Sequence, residues 1–312
     1  MNQNIWILSD GKAGHLSQTR GLATALLKRK GGAIREIDLM GKGFFGKLRA
    51  VWVQGTPDFI IAAGHGTHLP LLLSGCLFKQ AKTVVCMRPS FPMRWFDFCI
   101  VPRHDLSSEV LANPPAHIIP TIGALHGVHP SPESPKTHTL ILIGGPSKEY
   151  GWDEKQVVEQ LKAVSRGRRS EDGGQRTEAG SETKFLLTTS RRTPAGFVDL
   201  LRTACPAIEV VPVEETRRGW VAEKLASATA VWVTRDSVSM IYESLGSGAP
   251  VGLLDMIPLK GPAAPRSRVA KGIEMLKNDG WVTPFEAWKE RGILKSKGAL
   301  VEVDRVADML VK

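Results

Sequence analysis

Short β-like runs alternate with amphipathic helices along this chain, and the alternation stops once and then restarts. That pattern constrains the fold most, because strands joined through helices must cross over and pair in parallel. Residues 4–9 predict a strand and 15–29 a helix, with Leu22, Ala23, Leu26 and Leu27 on one face and Gly31-Gly32 as its stop. Strands are expected at 33–39, 58–63, 82–87 and 97–101, with a helix at 69–78. Residues 128–138 then hold three prolines and read as an extended linker. Beyond it the pattern resumes. Strands are expected at 139–143, 184–189, 208–212, 230–234 and 251–255. Helices are expected at 153–165, 237–245 and 266–278, with further starts at a Thr193-Pro194 N-cap and at Thr283–Glu286. The reading is therefore α/β, with an N-terminal domain over 1–130 and a C-terminal domain over 137–312. Its length of 312 residues, at about 150 per domain, agrees. A polar stretch, 166–183, interrupts two good elements and is expected to be a mobile surface loop, and the C-terminal helix is expected to pack back on the N-terminal domain.

The longest apolar stretch, 69–78, falls well short of the roughly 20 residues a bilayer-spanning helix needs. The first residues show neither a basic stretch nor a cleavage site, so a cytoplasmic location is expected. Four cysteines without paired spacing read as free thiols in a reducing compartment. Charge is uneven. Residues 1–135 hold 14 Lys/Arg against 8 Asp/Glu, a surplus of 6 out of the chain's net +10. Such a half suits an anionic substrate or an anionic membrane surface. Nucleic acid is not expected, because no basic stripe carries interleaved aromatics. Lys42, Lys47, Arg49 and Arg94, near Phe44-Phe45 and Trp95-Phe96, are the candidates for peripheral contact with the inner face of a membrane.

Four strand-to-helix turns carry the candidate chemistry. The first is Ser9-Asp10-Gly11-Lys12-Ala13-Gly14-His15. Its glycines permit a tight turn, and a helix start offers unpaired N–H groups. Lys12 and His15 run against the helix dipole there, and residues set against local preference are candidates for function. The second is Gly64-His65-Gly66-Thr67-His68. Its two histidines keep no ligand spacing with a third group, so no metal is expected. The third is Gly144-Gly145-Pro146-Ser147-Lys148, at the position where such domains hold phosphate, followed after the next strand by Ser190-Arg191-Arg192. The fourth opens a helix with Asp236-Ser237-Val238-Ser239-Met240 and places Glu243 within it. Taken singly, Asp236 or Ser237 would serve as an N-cap.

The series S-D-G-K-A-G-H-x-x-Q, G-G-P-S-K-x-Y-G-W, T-T-S-R-R-T-P and R-D-S-V-S-M-x-x-E-x-x-x-x-G-x-P resembles the mitochondrial fission Elm-type family over nearly the whole chain. Its bacterial members often carry the label nucleoside-diphosphate-sugar epimerase. More distantly, the chain is similar to MurG-type GT-B glycosyltransferases. The resemblance implies two Rossmann-like domains facing across a cleft, with an acceptor on the first and a nucleotide-sugar donor on the second. It implies an acceptor-side loop at Asp10–His15, with Asp10 and Lys12 standing where the family has glycines; there His15 is the candidate catalytic base with Asp10 beside it, and Gly11, Lys12 and Gly14, with Gly64 and His65 of the second turn, are the candidate acceptor-side loops. On the donor side it implies the loop of Gly144, Gly145 and Ser147 and an element of Ser239 and Glu243, with Glu243 on the ribose; the turns add Lys148, Ser190, Arg191, Asp236, Ser237 and Met240 as donor-side candidates. No cofactor beyond the nucleotide sugar is implied. Three functions stay open at this point: a metal-independent glycosyltransferase, a GT-B-fold epimerase, and a non-catalytic scaffold like the plant relatives, whose described role is recruitment of fission machinery.

Overall fold

A computed structural model describes residues 3–52, 55–166, 184–259 and 267–311. The chain divides into two compact units, Met1–Val128 with Val301–Lys312, and His129–Leu300. The second unit thus ends at Leu300, and the last stretch of chain groups with the first unit.

The first unit runs β1 (Gln3–Ser9), α1 (Ala13–Lys30), β2 (Gly32–Asp38), α2 (Phe44–Trp52), β3 (Phe59–Ala63), α3 (His65–Leu77), β4 (Lys82–Cys86), β5 (Phe98–Pro102), α4 (Ser108–Ala112) and β6 (Ile118–Thr121). Its strands form one parallel sheet in the order β2-β1-β3-β4-β5-β6. Side chains alternate across a strand, so each sheet face builds its own core. Ile5 and Ile7 pack with Leu22 and Leu26 of α1 on one face, whereas Trp6 and Leu8 pack with Val51 and Leu71 on the other. The inner strand β3 reads as an unbroken apolar run because helices cover both faces, whereas the edge strand β2 is mostly exposed.

The second unit runs β7 (His138–Leu142), α5 (Glu154–Arg166), β8 (Lys184–Thr188), α6 (Phe197–Ala204), β9 (Ile208–Val211), α7 (Trp220–Ala226), β10 (Ala228–Thr234), α8 (Val238–Gly246), β11 (Val251–Leu254), α9 (Arg268–Asn278), β12 (Thr283–Pro284) and α10 (Phe285–Arg291). Its sheet is also parallel, ordered β12-β11-β10-β7-β8-β9. Val157, Leu161 and Val164 of α5 pack with Ile141, Leu187 and Phe197. The expected loop 166–183 lies, from residue 167 onward, outside the described residues; Arg166 is the last residue of α5.

The last helix, α11 (Glu302–Leu310), belongs to the first unit. Val303, Val306, Ala307 and Leu310 recur at helical spacing and are buried with Leu22 and Leu26. Arg29 of α1 holds it from the side, donating to the Asp304 carbonyl at 2.7 Å and pairing with Asp308 at 2.5 Å.

Three helix starts differ from expectation. The helix expected from 69 begins four residues earlier, at His65 behind Gly64. Thr193 does not cap a helix at 194, since α6 begins at Phe197 behind Gly196, and the Thr193 hydroxyl is used elsewhere, donating to the Gly144 carbonyl. Thr283 is not a capping residue either. It lies in β12, its hydroxyl accepts from Lys295 N–H at 3.1 Å, and Pro284 stands at the N-cap of α10 without a side-chain cap.

Candidate functional site

In an open parallel sheet, ligands bind at the C-terminal ends of the two strands where the winding direction reverses, because the connections leave in opposite directions and open a crevice there. In the first unit the reversal falls between β1 and β3, which are neighbours. The chain leaves β1 toward β2 and returns on the other side at β3. In the second unit it falls between β7 and β10. All four candidate turns leave these four strands.

At the first reversal, Asp10 and His15 meet. His15 Nδ1 lies 3.0 and 2.9 Å from the two Asp10 carboxylate oxygens, with the Asp10 side chain 14% and the His15 side chain 28% exposed. Asp10 also accepts from Lys12 N–H at 3.2 Å and Gly11 N–H reaches Ser9 Oγ at 3.0 Å, which shapes the turn. A carboxylate on Nδ1 fixes the proton there and leaves Nε2 as an acceptor. Lys12 stands at the N-cap of α1 with its side chain exposed, and Gly14 lies in the first turn, its carbonyl accepting from Gln18. The pair rests on Gly64. A Cβ at Gly64 would lie 2.5 Å from His15 Cε1 and 2.6 Å from Asp10 Oδ2, and the backbone there has φ of +94°. Only glycine lets the two turns close on each other.

His65 is exposed, and its Nδ1 is hydrogen-bonded to Ser90 Oγ. Buried His68 touches the same serine, its Nδ1 accepting from Ser90 N–H at 3.2 Å. Burial, followed by the nearby His65 and His15, pushes the His68 pKa down to about 4. Ser90 lies beyond β4, and nothing in its sequence neighbourhood singles it out.

At the second reversal, Gly144 N–H donates to Thr234 Oγ1 at 2.7 Å and Gly145 N–H to Asp236 Oδ2 at 3.1 Å. A Cβ on Gly144 would overlap Asp236 and Ser237, and one on Gly145 would overlap the Arg192 carbonyl. These two amides are therefore committed within the protein. The Asp236 side chain is fully buried. Its Oδ2 pairs with Arg192 at 2.6 Å and accepts from Ser237 Oγ at 3.0 Å, and its Oδ1 has no hydrogen-bond partner among the described residues. Neither Asp236 nor Ser237 caps α8. Ser237 holds the N-cap position without a capping bond, and its hydroxyl instead donates to Asp236 and accepts from Arg192 at 3.2 Å. The first N–H groups of α8 are left without a side-chain cap, at the positive end of the helix.

The remaining expected residues fall around this cluster. Ser147 Oγ accepts from Glu149 and Tyr150 N–H, so it shapes its own turn, and Lys148 is exposed. Ser190 N–H donates to Thr193 Oγ1 at 2.9 Å. Arg191 is exposed; the arginine brought to Asp236 is its neighbour Arg192, which also donates to the Gly145 carbonyl at 3.2 Å. Ser239 is exposed, and Met240 and Glu243 are half-buried on α8. Arg192, Thr193 and Thr234 were missing from the expected donor set. All three stood in its motifs, but which arginine reaches Asp236 depends on the loop's backbone.

Other features lie elsewhere. A cavity of about 500 Å³ is lined by Lys136, Ala228 and Pro250, at the opposite, N-terminal ends of β10 and β11. Of the membrane candidates, Trp95 is 53% exposed and stacked on Phe91, while Phe96 is buried in the core and is not a surface aromatic. The Phe44 and Phe45 side chains lie outside the described set. Among the described residues no helix is long and apolar enough to cross a membrane.

Two parallel doubly wound units, each with its glycine turn at the reversal, define the GT-B class of fold. Acinetobacter baumannii MurG shares it, with a TM-score of 0.53 at 11% identity over 99% of both chains. So does the UDP-GlcNAc 2-epimerase of Neisseria meningitidis bound to UDP-GlcNAc, with a TM-score of 0.53 at 9% identity over 100% of both. Within that class, the chain belongs to the mitochondrial fission ELM1 family, whose model matches residues 13–312. A relative, the uncharacterized protein RP120 of Rickettsia prowazekii (strain Madrid E), is 22% identical over 300 residues, covering 80% of this chain and 82% of the relative.

Proposed function

We propose that this protein is a nucleotide-sugar-dependent glycosyltransferase that moves a sugar onto an acceptor hydroxyl. One observation carries the reading: at both sheet reversals a glycine turn closes on a charged group, an Asp10–His15 pair in one unit and an Arg192–Asp236 pair beside an uncapped helix start in the other. The donor's diphosphate would sit at the start of α8, where backbone N–H groups of 238–240 and the Arg192 guanidinium supply positive charge. Glu243, one turn further along α8, would hold the ribose. His15 Nε2 takes the proton of the acceptor hydroxyl. The acceptor oxygen bonds to the sugar's anomeric carbon as the bond from that carbon to the phosphate oxygen breaks. The electron pair leaves with the nucleoside diphosphate, whose growing charge the α8 terminus stabilises. The N. meningitidis epimerase of the same fold is recorded with a UDP-sugar bound, which supports a nucleotide sugar as the ligand class. We place the acceptor at an anionic membrane surface, on the basic surplus of residues 1–135 and the exposed Trp95.

The test is a thermal-shift and calorimetric screen of UDP-, GDP-, ADP- and CMP-sugars. A ligand at a hundred times its Kd adds about 2.7 kcal/mol to the folded state. Stabilisation by one nucleotide sugar, followed by turnover with a membrane extract, is the expected result. Binding without turnover favours a scaffold, solvent exchange at the sugar C2 without an acceptor favours an epimerase, and no binding by any of them rejects the proposal.

A further inference from the structure

The tautomers of two histidines at the first reversal follow from their Nδ1 partners, and they are opposite. The Asp10 carboxylate can only accept, so His15 Nδ1 carries the proton and Nε2 presents a lone pair. His65 is set from the other side. A backbone N–H can only donate, and Ser90 N–H donates to His68 Nδ1 at 3.2 Å, occupying that nitrogen's one in-plane lone pair. Burial keeps His68 neutral at pH 7, with its pKa near 4, so its Nδ1 stays an acceptor. The Ser90 hydroxyl, 3.1 Å from His68 Nδ1, finds that lone pair used and turns its proton to His65 Nδ1 instead. His65 Nδ1 thus accepts, and its proton sits on Nε2. His65 is exposed, follows Gly64 directly, and so stands next to the pair that Gly64 supports.

We infer that His65 is a hydrogen-bond donor to the acceptor molecule, held in that role by Ser90 and His68, while His15 is the proton acceptor. The acceptor of the reaction then carries an oxygen that accepts a hydrogen bond (phosphate, carboxylate or carbonyl) close to the hydroxyl that His15 deprotonates. Ser90 and His68 are positioning residues, acting through His65. This assignment of an acceptor chemistry rests on the glycosyltransferase reading; the tautomers do not.

Histidine-selective ¹⁵N labelling of the full chain and long-range ¹H–¹⁵N spectra at pH 8 read the tautomers directly. We expect His15 protonated on Nδ1 and His65 on Nε2. Ser90→Ala should return His65 to a mixture of tautomers and leave His15 unmoved, and His68→Asn, which keeps an acceptor near the Nδ1 position, should preserve the His65 signature. Titration with inorganic phosphate should shift the His65 Nε2 resonance in the wild type. His65 protonated on Nδ1, or unmoved by Ser90→Ala, overturns the positioning role. A His65 resonance indifferent to phosphate overturns its role as a hydrogen-bond donor to an oxygen. Neither result depends on nucleotide-sugar binding, whose failure would show separately in the calorimetric screen.

Discussion

Replacing Gly64 by alanine isolates the contact on which the first candidate site is built. The backbone at Gly64 has φ +94° and ψ 147°, close to a region that only glycine adopts readily. Forcing a side chain there costs about 1–3 kcal/mol. The new methyl would also lie 2.6 Å from Asp10 Oδ2 and overlap the His15 ring, so the two must part. Losing a hydrogen bond to a charged group costs about 1.5–3 kcal/mol more. Together the variant should lose about 2.5–6 kcal/mol. For a unit of this size that is a fall of roughly 8–20 °C in melting temperature. Gly41→Ala is the control for a positive φ without a clash: its φ is +69° and nothing lies within 4 Å of the added carbon. Differential scanning calorimetry of both variants should show Gly64→Ala melting well below Gly41→Ala. Equal melting temperatures would refute the argument that the Asp10–His15 pair leans on Gly64.

Other perturbations test separate links. His68 has its folded pKa depressed to about 4, so the unfolded chain binds a proton that the folded one refuses between pH 6.5 and 4; stability should fall across that window by about 3 kcal/mol, and His68→Asn should flatten the fall in pH-dependent urea titrations. Glu243→Ala should weaken nucleotide-sugar binding about tenfold or more in calorimetry, the worth of a hydrogen bond to a charged group. His15→Ala should cut turnover by about 10² to 10⁴ in saturating kinetics while donor affinity by calorimetry stays near wild type; lost affinity with intact turnover would make His15 a binding residue. Co-sedimentation with vesicles should be greater for anionic than for neutral lipid and should drop in Arg94→Glu, since basic residues add attraction at an anionic surface.

The sequence alone determined the fold class of this protein, because periodicity is local. An apolar run of five residues followed by an amphipathic helix is visible without knowing its neighbours, and β3, α5 and β10 lie within a few residues of where they were expected. The glycine turns were legible for the same reason, since a strand followed by Gly-rich residues and a helix start is a continuous stretch of chain. Only the tertiary structure decided which side chains meet. Asp10 and His15 lie five residues apart, but Gly64, on which they rest, comes from a turn some fifty residues later, brought there because β3 pairs with β1. Asp236 reaches Gly145 and Arg192 because β10 pairs with β7, and the loop's backbone, not composition, selected Arg192 over Arg191. Ser237 carries the sequence signature of a helix cap, but a buried carboxylate competes for its hydroxyl and the helix start is left open. Local preference fixes what each segment forms; the strand order fixes the edge where the segments' side chains converge.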